Sequence, residues 1–309
     1  MREASVILCT YNRASMLGGA IESLAAQTIP PATFEVLVVD NNSSDGTADA
    51  VMELRERFPE LALRYLLETM QGLGRARNAG WRASEGKVVA FLDDDARAAP
   101  DWLEKALAAF SETAPAPWAV GGPIRPYYDS PRPSWFRDEY EERNWGARRR
   151  PLESGESFAG SNLVVSRDAL ERFGGFSTEA GMTGSRLSVG EETALILRIW
   201  ESGEGEGRLL YLPDLVVRHH VPGWKMTVGY QLRRAYAEGQ NDFRLRAAGS
   251  LRSIVRYRFW AFRNVLSGTG RALARRGSYS CRESWMVETL RPVWSAIGSL
   301  GIGSPPRAR

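Results

Sequence analysis

The chain has 309 residues, 43% hydrophobic and 25% charged, with a net charge of +3 and two cysteines. That composition fits an ordinary globular protein and excludes collagen-like, low-complexity and disulfide-framework classes. No apolar run approaches the ~18 residues of a membrane span. With only Cys9 and Cys281 available, a reducing, cytoplasmic setting is expected. Met1 to Ser5 runs straight into an apolar segment, which is expected to leave no room for a secretory leader.

In chain order, Ala4 to Thr10 reads as a first strand, with Tyr11-Asn12-Arg13 as its exit loop. Leu17, Ile21, Leu24 and Ala25 recur at helical spacing, so a helix capped by Ser15 is expected to run to about Gln27, where Pro30-Pro31 stops it. Phe34 to Val39 is a second strand ending at Asp40, followed by the turn-rich Asn41–Gly46 and a helix capped by Ser44 or Thr47. Leu61 to Leu66 is a third strand, and Gly72-Leu73-Gly74 opens a helix carrying Arg75, Arg77 and Asn78.

Val88 to Leu92 then runs into Asp93-Asp94-Asp95. A continuous apolar run rich in Val and Phe reads as a strand buried on both faces. Unpaired charge cannot be buried there, so the three acids belong just beyond the strand's carboxyl end. Open α/β sheets bind ligands at that edge. Adjacent carboxylates repel, and Mg²⁺ or Mn²⁺ is the cation that a set of hard oxygen ligands favours. The plain alternative is a solvated acidic turn before the helix expected from Trp102 to about Thr113. Asp40 and the aspartate run both end strands, so both should face one rim of the sheet.

Residues 123–157 are rich in Pro, Arg, Tyr and Trp and read as a long irregular excursion, the kind of loop that often serves binding. Beyond it come a strand at Leu163–Ser166, a helix from Arg167 to Phe173, and Gly190-Glu191-Glu192 opening a helix. Leu209 to Val217 contains a further strand, ended by His219-His220. Strands alternating with helices predict a mainly parallel sheet flanked by helices.

Seven of these segments, in this order, resemble family 2 glycosyltransferases, the inverting class with the GT-A fold. They are VILCTYNR (6–13), VLVVDNNSSDGT (36–47), GRARNAG (74–80), VVAFLDDDA (88–96), AGSNLVVSR with the later GGF (159–176), GEETALILR (190–198) and the histidines of VVRHHVP (216–222). The resemblance implies a GT-A catalytic domain over residues 1–224. Its nucleotide-binding half is about 1–115 and its acceptor half about 116–224, with 225–309 a basic helical extension. It further implies a nucleotide-sugar donor, UDP preferred, a saccharide or lipid-linked acceptor, and Mn²⁺ or Mg²⁺.

On that resemblance Thr10, Tyr11 and Asn12 hold the nucleobase and Asp40 accepts from a base N–H. Arg77 and Asn78 approach the nucleotide, and Gly160 and Asn162 line the donor-sugar pocket. Asp93 and Asp95 form the DxD pair, with Asp93 on ribose or metal, Asp95 on the metal and His219 completing the metal shell, and Asp94 joins the nucleotide-sugar contacts. Glu191-Glu192 matches the family's acidic pair, whose second position is usually the aspartate base. Here that position is Glu192, so the base is expected among Glu192 and Glu191. Trp135, Trp145 and Trp224 are candidates for stacking on sugar rings or for plain packing.

Residues 225–309 hold 16 Lys+Arg and 4 Asp+Glu, a surplus of +12, so residues 1–224 carry −9. Basic helices interleaved with aromatics point to an anionic membrane surface, peripherally on the inner face. No nucleic-acid motif accompanies the charge, and nucleic acid is not expected as a partner. Two other readings stand beside the glycosyltransferase: a non-catalytic relative that binds a nucleotide or a membrane, suggested by glutamate in place of aspartate at 192, and a nucleotidyltransferase. The second would need a glycine-rich phosphate loop near the N-terminus, which Thr10 to Gly18 does not supply.

Overall fold

The computed structural model describes residues 2–153, 156–178, 190–246 and 281–300, with isolated positions 255, 259, 262, 263, 265–267, 270 and 279 between the last two ranges. Within these, the chain divides into two compact units. The first comprises the described parts of Met1–Tyr127, Glu141–Arg186 and Gly190–His220. The second comprises those of Tyr128–Tyr140 and Val221–Arg309.

The first unit is built on an eight-stranded sheet. Its first four strands are β1 (Ala4–Thr10), β2 (Phe34–Asp40), β3 (Leu63–Leu67) and β4 (Val88–Asp93), with β3 at the sheet's edge. They lie in the order β3-β2-β1-β4 and are mutually parallel. Successive side chains of a strand point to opposite faces. Val6, Leu8, Val36, Val38, Ala90 and Leu92 therefore enter one core, and Ile7, Leu37, Val39, Val89 and Phe91 enter the other. Both faces are covered by helices at β1, β2 and β4, which is why these three strands are buried almost throughout, whereas the edge strand β3 is partly exposed. The helices are α1 (Ala14–Ala25), α2 (Thr47–Arg57), α3 (Leu73–Ala83) and α4 (Trp102–Glu112).

Beyond β4 the direction changes. A short β5 (Ala96–Ala98) follows directly, then β6 (Ala119–Gly121), β7 (Ile124–Tyr127), β8 (Arg150–Pro151) and β9 (Leu163–Ser166). Strand β9 is antiparallel to both β4 and β6, so the mixed α/β sheet is mostly but not wholly parallel. The remaining elements are α5 (Arg167–Phe173), α6 (Glu191–Glu201), β10 (Leu209–Tyr211) and β11 (Val217–His220). Strands β5, β11 and β7 form a second, three-stranded sheet. The excursion at 123–157 is thus less irregular than its composition suggests, since it supplies β7 and β8.

The helix caps differ from expectation. Ser15 does not cap α1, which begins at Ala14. Asp45 serves instead, accepting from the Ala14 amide at 3.1 Å and, at its other oxygen, from the Thr47 amide that opens α2. One carboxylate thus binds two helix N-termini, where negative charge is favoured.

In the second unit α7 (Val228–Arg246) packs on α8 (Arg282–Leu300). A side chain on Gly239 would strike the Ser295 backbone, and one on Gly298 would strike that of Tyr236. These two glycines let the helix axes approach closely. Phe136, Tyr140, Val221, Met226 and Val287 form a small core beside this pair. Among the described residues no helix is long and apolar enough to cross a membrane.

Candidate active site

The parallel register sets the rim. Cys9 lies opposite Asp93 and Thr10 opposite Asp40, so the carboxyl ends of β1, β2 and β4 are level. Asp40 and the aspartate run therefore share one edge of the sheet, as the alternation of strands and helices implies. His219 arrives by a separate route. In the antiparallel pairing of β11 with β5 it lies opposite Ala96, one residue past Asp95. The His220 amide donates to the Asp95 carbonyl at 3.0 Å, locking that register.

Three ligating groups converge as a result. His219 Nε2 lies 3.2 Å from Asp95 Oδ1 and 3.6 Å from Asp93 Oδ2. The ligand atoms of Asp93, Asp95 and His219 all fall within 4.8 Å of one another. With its proton on Nδ1, 3.1 Å from the His220 carbonyl, His219 would present its Nε2 lone pair to a cation shared with the two carboxylates. Asp95 Oδ1 is buried and has no hydrogen-bond partner. A buried carboxylate oxygen without a donor is costly, and two carboxylates with one imidazole make a fitting donor set for a hard divalent cation. The residues present fit Mn²⁺ or Mg²⁺.

The aspartates already have protein counter-charges, which the sequence reading overlooked. Arg13 donates through Nη1 to Asp94 and through Nη2 to Asp95, each at 2.7 Å. Thr10 Oγ1 also donates to Asp94 at 2.7 Å. Repulsion within the aspartate run signalled a cation, but nothing in the pattern said that the arginine of the first exit loop would turn back onto it. Burial and the charges of Asp95 and Asp93 nevertheless push the Asp94 carboxyl up to about 7, against the pull of Arg13. Asp93 goes the other way: burial works to raise it, but the His219 imidazole, when protonated, and the charges of Arg77 and Arg13 hold it at about 2.

Arg77 is the hub. Its guanidinium is buried, with side-chain exposure of 4%, and donates from Nη1 to Glu191 at 2.6 Å and from Nη2 to Asp93 at 3.3 Å. Glu192 lies 3.7 Å away. Phe176 supports it at 5.4 Å from the ring centre, and a side chain at Gly160 would run into its nitrogens. Gly160 is therefore placed against Arg77, leaving room for it. The arginine ties the aspartates on β4 to the acidic pair that opens α6. Glu192 is the less occupied of that pair. Burial, together with the charge of Glu191, pushes its carboxyl up to about 8.

Other residues singled out in the sequence are committed within the fold. Asn78 accepts from the Phe176 amide at 2.9 Å and the Trp81 indole at 3.0 Å, and donates to the Phe176 carbonyl at 2.9 Å. Asn162 accepts from the Trp102 indole at 2.9 Å and donates to the carbonyls of Leu215 at 2.6 Å and Pro123 at 3.1 Å. Both amides are spent on the scaffold and aim no free group at a ligand. Asp40 accepts from the Ser43 amide and the Tyr65 hydroxyl, each at 2.8 Å. A carboxylate keeps further lone pairs after two such bonds.

Asn12, at φ +53°, binds its loop to the next, its amide donating to Ser43 Oγ and its side-chain oxygen accepting from the Ser44 amide. Tyr11 beside it is half-buried. Trp145 donates to the Ser157 carbonyl. Trp135 stacks edge-on with Phe136, and Trp224 with Tyr230. Burial pushes the Cys9 thiol up to about 12, so it is no nucleophile.

The model of glycosyl transferase family 2 matches residues 5–174. The chain belongs to that family. It is a glycosyltransferase with the GT-A fold, drawing on a nucleotide-sugar donor. It is 29% identical to a glucosyl-dolichyl phosphate glucuronosyltransferase of Haloferax volcanii over 77% of this chain and 75% of that one. It is 30% identical to the succinoglycan biosynthesis protein ExoM of Rhizobium meliloti, over 78% and 74%. Among solved structures it resembles the mannosyltransferase PcManGT of Pyrobaculum calidifontis, in complex with GDP-Man and Mn²⁺, with a TM-score of 0.64, 25% identity and coverage of 97% and 88%. It shares the fold of S. aureus TarS residues 1–349, in complex with UDP, at a TM-score of 0.56 and 20% identity, covering 90% and 72%.

Proposed function

We propose that this glycosyltransferase is inverting and metal-assisted, with Glu192 as general base. The observation that carries this reading is the link Asp93–Arg77–Glu191/Glu192, which puts a carboxyl with a raised pKa at the same rim as the three ligating groups. Glu192 takes the proton of an acceptor hydroxyl, whose oxygen forms a bond to the anomeric carbon as the bond to the diphosphate breaks. Attack from the face opposite the nucleotide inverts that carbon. Asp93, Asp95 and His219 hold the divalent cation, Mn²⁺ or Mg²⁺, which when bound neutralises charge on the departing diphosphate. Arg77 keeps the acidic pair in place. Thr10, Tyr11, Asn12 and Asp40 receive the nucleobase, and Asp94 lies between that loop and the ligands.

In this reading residues 1–224 carry the chemistry and 225–309 form a basic accessory region. The donor is a UDP-sugar, although the Mn²⁺-bound relative holds GDP-Man. The acceptor is a saccharide or lipid-linked hydroxyl, in keeping with a relative named for a dolichyl phosphate substrate, and the protein works at the cytoplasmic face of the membrane. The test is a thermal-shift panel of UDP-, GDP- and dTDP-sugars with and without Mn²⁺, since a ligand of the native state raises the melting point. Turnover of the stabilising donor follows, with the anomeric configuration of the product read by NMR. Asp95→Asn is expected to abolish turnover. Turnover surviving in Asp95→Asn would refute the metal assignment, and turnover surviving in Glu192→Gln would refute the base. A retained anomeric configuration would refute inversion.

A further inference from the structure

The stretch between Asp242 and Glu283 contains ten arginines, no lysine and no acidic residue. Within it the described positions Val255, Phe259, Phe262 and Leu266 are helical. They are 62%, 69%, 55% and 60% exposed. At the helical period their spacing of i, i+4, i+7 and i+11 falls within one sector of roughly 60°. A row of large apolar side chains presented to water marks a surface that docks something. Arg263, beside them, is exposed as well.

We propose that this face lies in the headgroup region of an anionic lipid bilayer, with the four apolar side chains among the acyl chains and the arginines on lipid phosphates. The inference takes the peripheral-membrane part of the reading above and gives it a surface; it does not depend on the donor chemistry. Two properties choose the occupant. Arginine without lysine suits phosphate oxygens, which its planar fork binds in pairs. Single-stranded nucleic acid would use the arginines and aromatics but offers nothing to Val255 and Leu266. A second copy of this chain would bring the same ten positive charges and be repelled. A bilayer satisfies both halves of the pattern, the apolar row and the arginines.

The experiment is flotation of the full chain with phosphatidylcholine vesicles, with and without phosphatidylglycerol. Binding is expected only to the anionic vesicles and to weaken as salt is raised. The double variant Phe259→Ser/Phe262→Ser is expected to bind them at least about tenfold more weakly, with its melting point and nucleotide affinity unchanged. Arg263→Glu, which spares the apolar row, is expected to weaken binding less. Equal binding by the double variant and the parent would overturn the proposal. So would equal binding to neutral vesicles, or a preference for an RNA oligonucleotide over vesicles. Lost vesicle binding in a double variant that still turns over a soluble acceptor supports this surface and leaves the catalytic reading untouched.

Discussion

Arg77 and Glu191 are 114 residues apart in sequence and 2.6 Å apart in the fold, each with only 4% of its side chain exposed. Removing one partner of a buried ion pair leaves the other charge without compensation, at a cost of about 3–5 kcal/mol. Arg77→Met is therefore expected to lower thermal stability sharply and to abolish transfer. Glu191→Gln in the Arg77→Met background should recover part of the lost stability, because it removes the stranded charge. Thermal melts of the four proteins of this cycle measure the coupling. Additive losses would show that the pair does not hold the rim together.

Glu192 makes stability depend on pH. Its folded carboxyl titrates near 8, against 4.5 ordinarily, because burial and Glu191 disfavour the charge. The folded state thus binds this proton more tightly than the unfolded chain. Its contribution is fully present below about pH 4.5 and is lost as pH rises through about 8. Glu192→Gln cannot lose a proton, so it is expected to melt near the parent at pH 5 and several degrees above it at pH 8.5, while transfer is lost. In the parent, kcat/KM for transfer should rise from pH 7 to 9 as the base ionises. A flat profile, or a variant less stable than the parent at pH 8.5, would contradict the assignment.

Arg13 is the more accessible of the two arginines, with 39% of its side chain exposed, and it holds Asp94 and Asp95. In the proposed reading it would compete with a divalent cation for Asp95. Arg13→Met is expected to tighten Mn²⁺ binding to the nucleotide-free protein several-fold by titration calorimetry, since one competing charge is gone. Weaker Mn²⁺ binding in the variant would show that Arg13 supports the ligand set.

Much of this rim was legible in the sequence, for local reasons. An apolar run ending in carboxylates can place those carboxylates only at a strand's end, so the sequence alone locates Asp40 and Asp93–Asp95. The first four strands and the four helices among them carry clear patterns. Strands of three or four residues carry little pattern, and β5, β6 and β7 went unseen because so short a segment has almost no period to read. Yet β5 brings β11, and with it His219, to Asp95. Polar roles were harder still. Arg77, Asn78 and Asn162 have the right chemistry for a ligand, and only the folded contacts show that Arg77 serves the acidic pair while the two amides serve the backbone.

Asn162 separates scaffold from site. It is fully buried and makes three hydrogen bonds, two of them to the carbonyls of Pro123 and Leu215, beside the strands β7 and β11. Asn162→Ala leaves those carbonyls and the Trp102 indole without partners, each such loss costing about 1–3 kcal/mol. The variant is expected to melt several degrees lower. At temperatures where it stays folded, its KM for the donor should be close to the parent's, because the side chain offers no free group to the sugar. If Asn162 instead lines the donor pocket, KM rises markedly while the melting point barely moves. Melting curves and donor saturation kinetics on the same preparation distinguish the two.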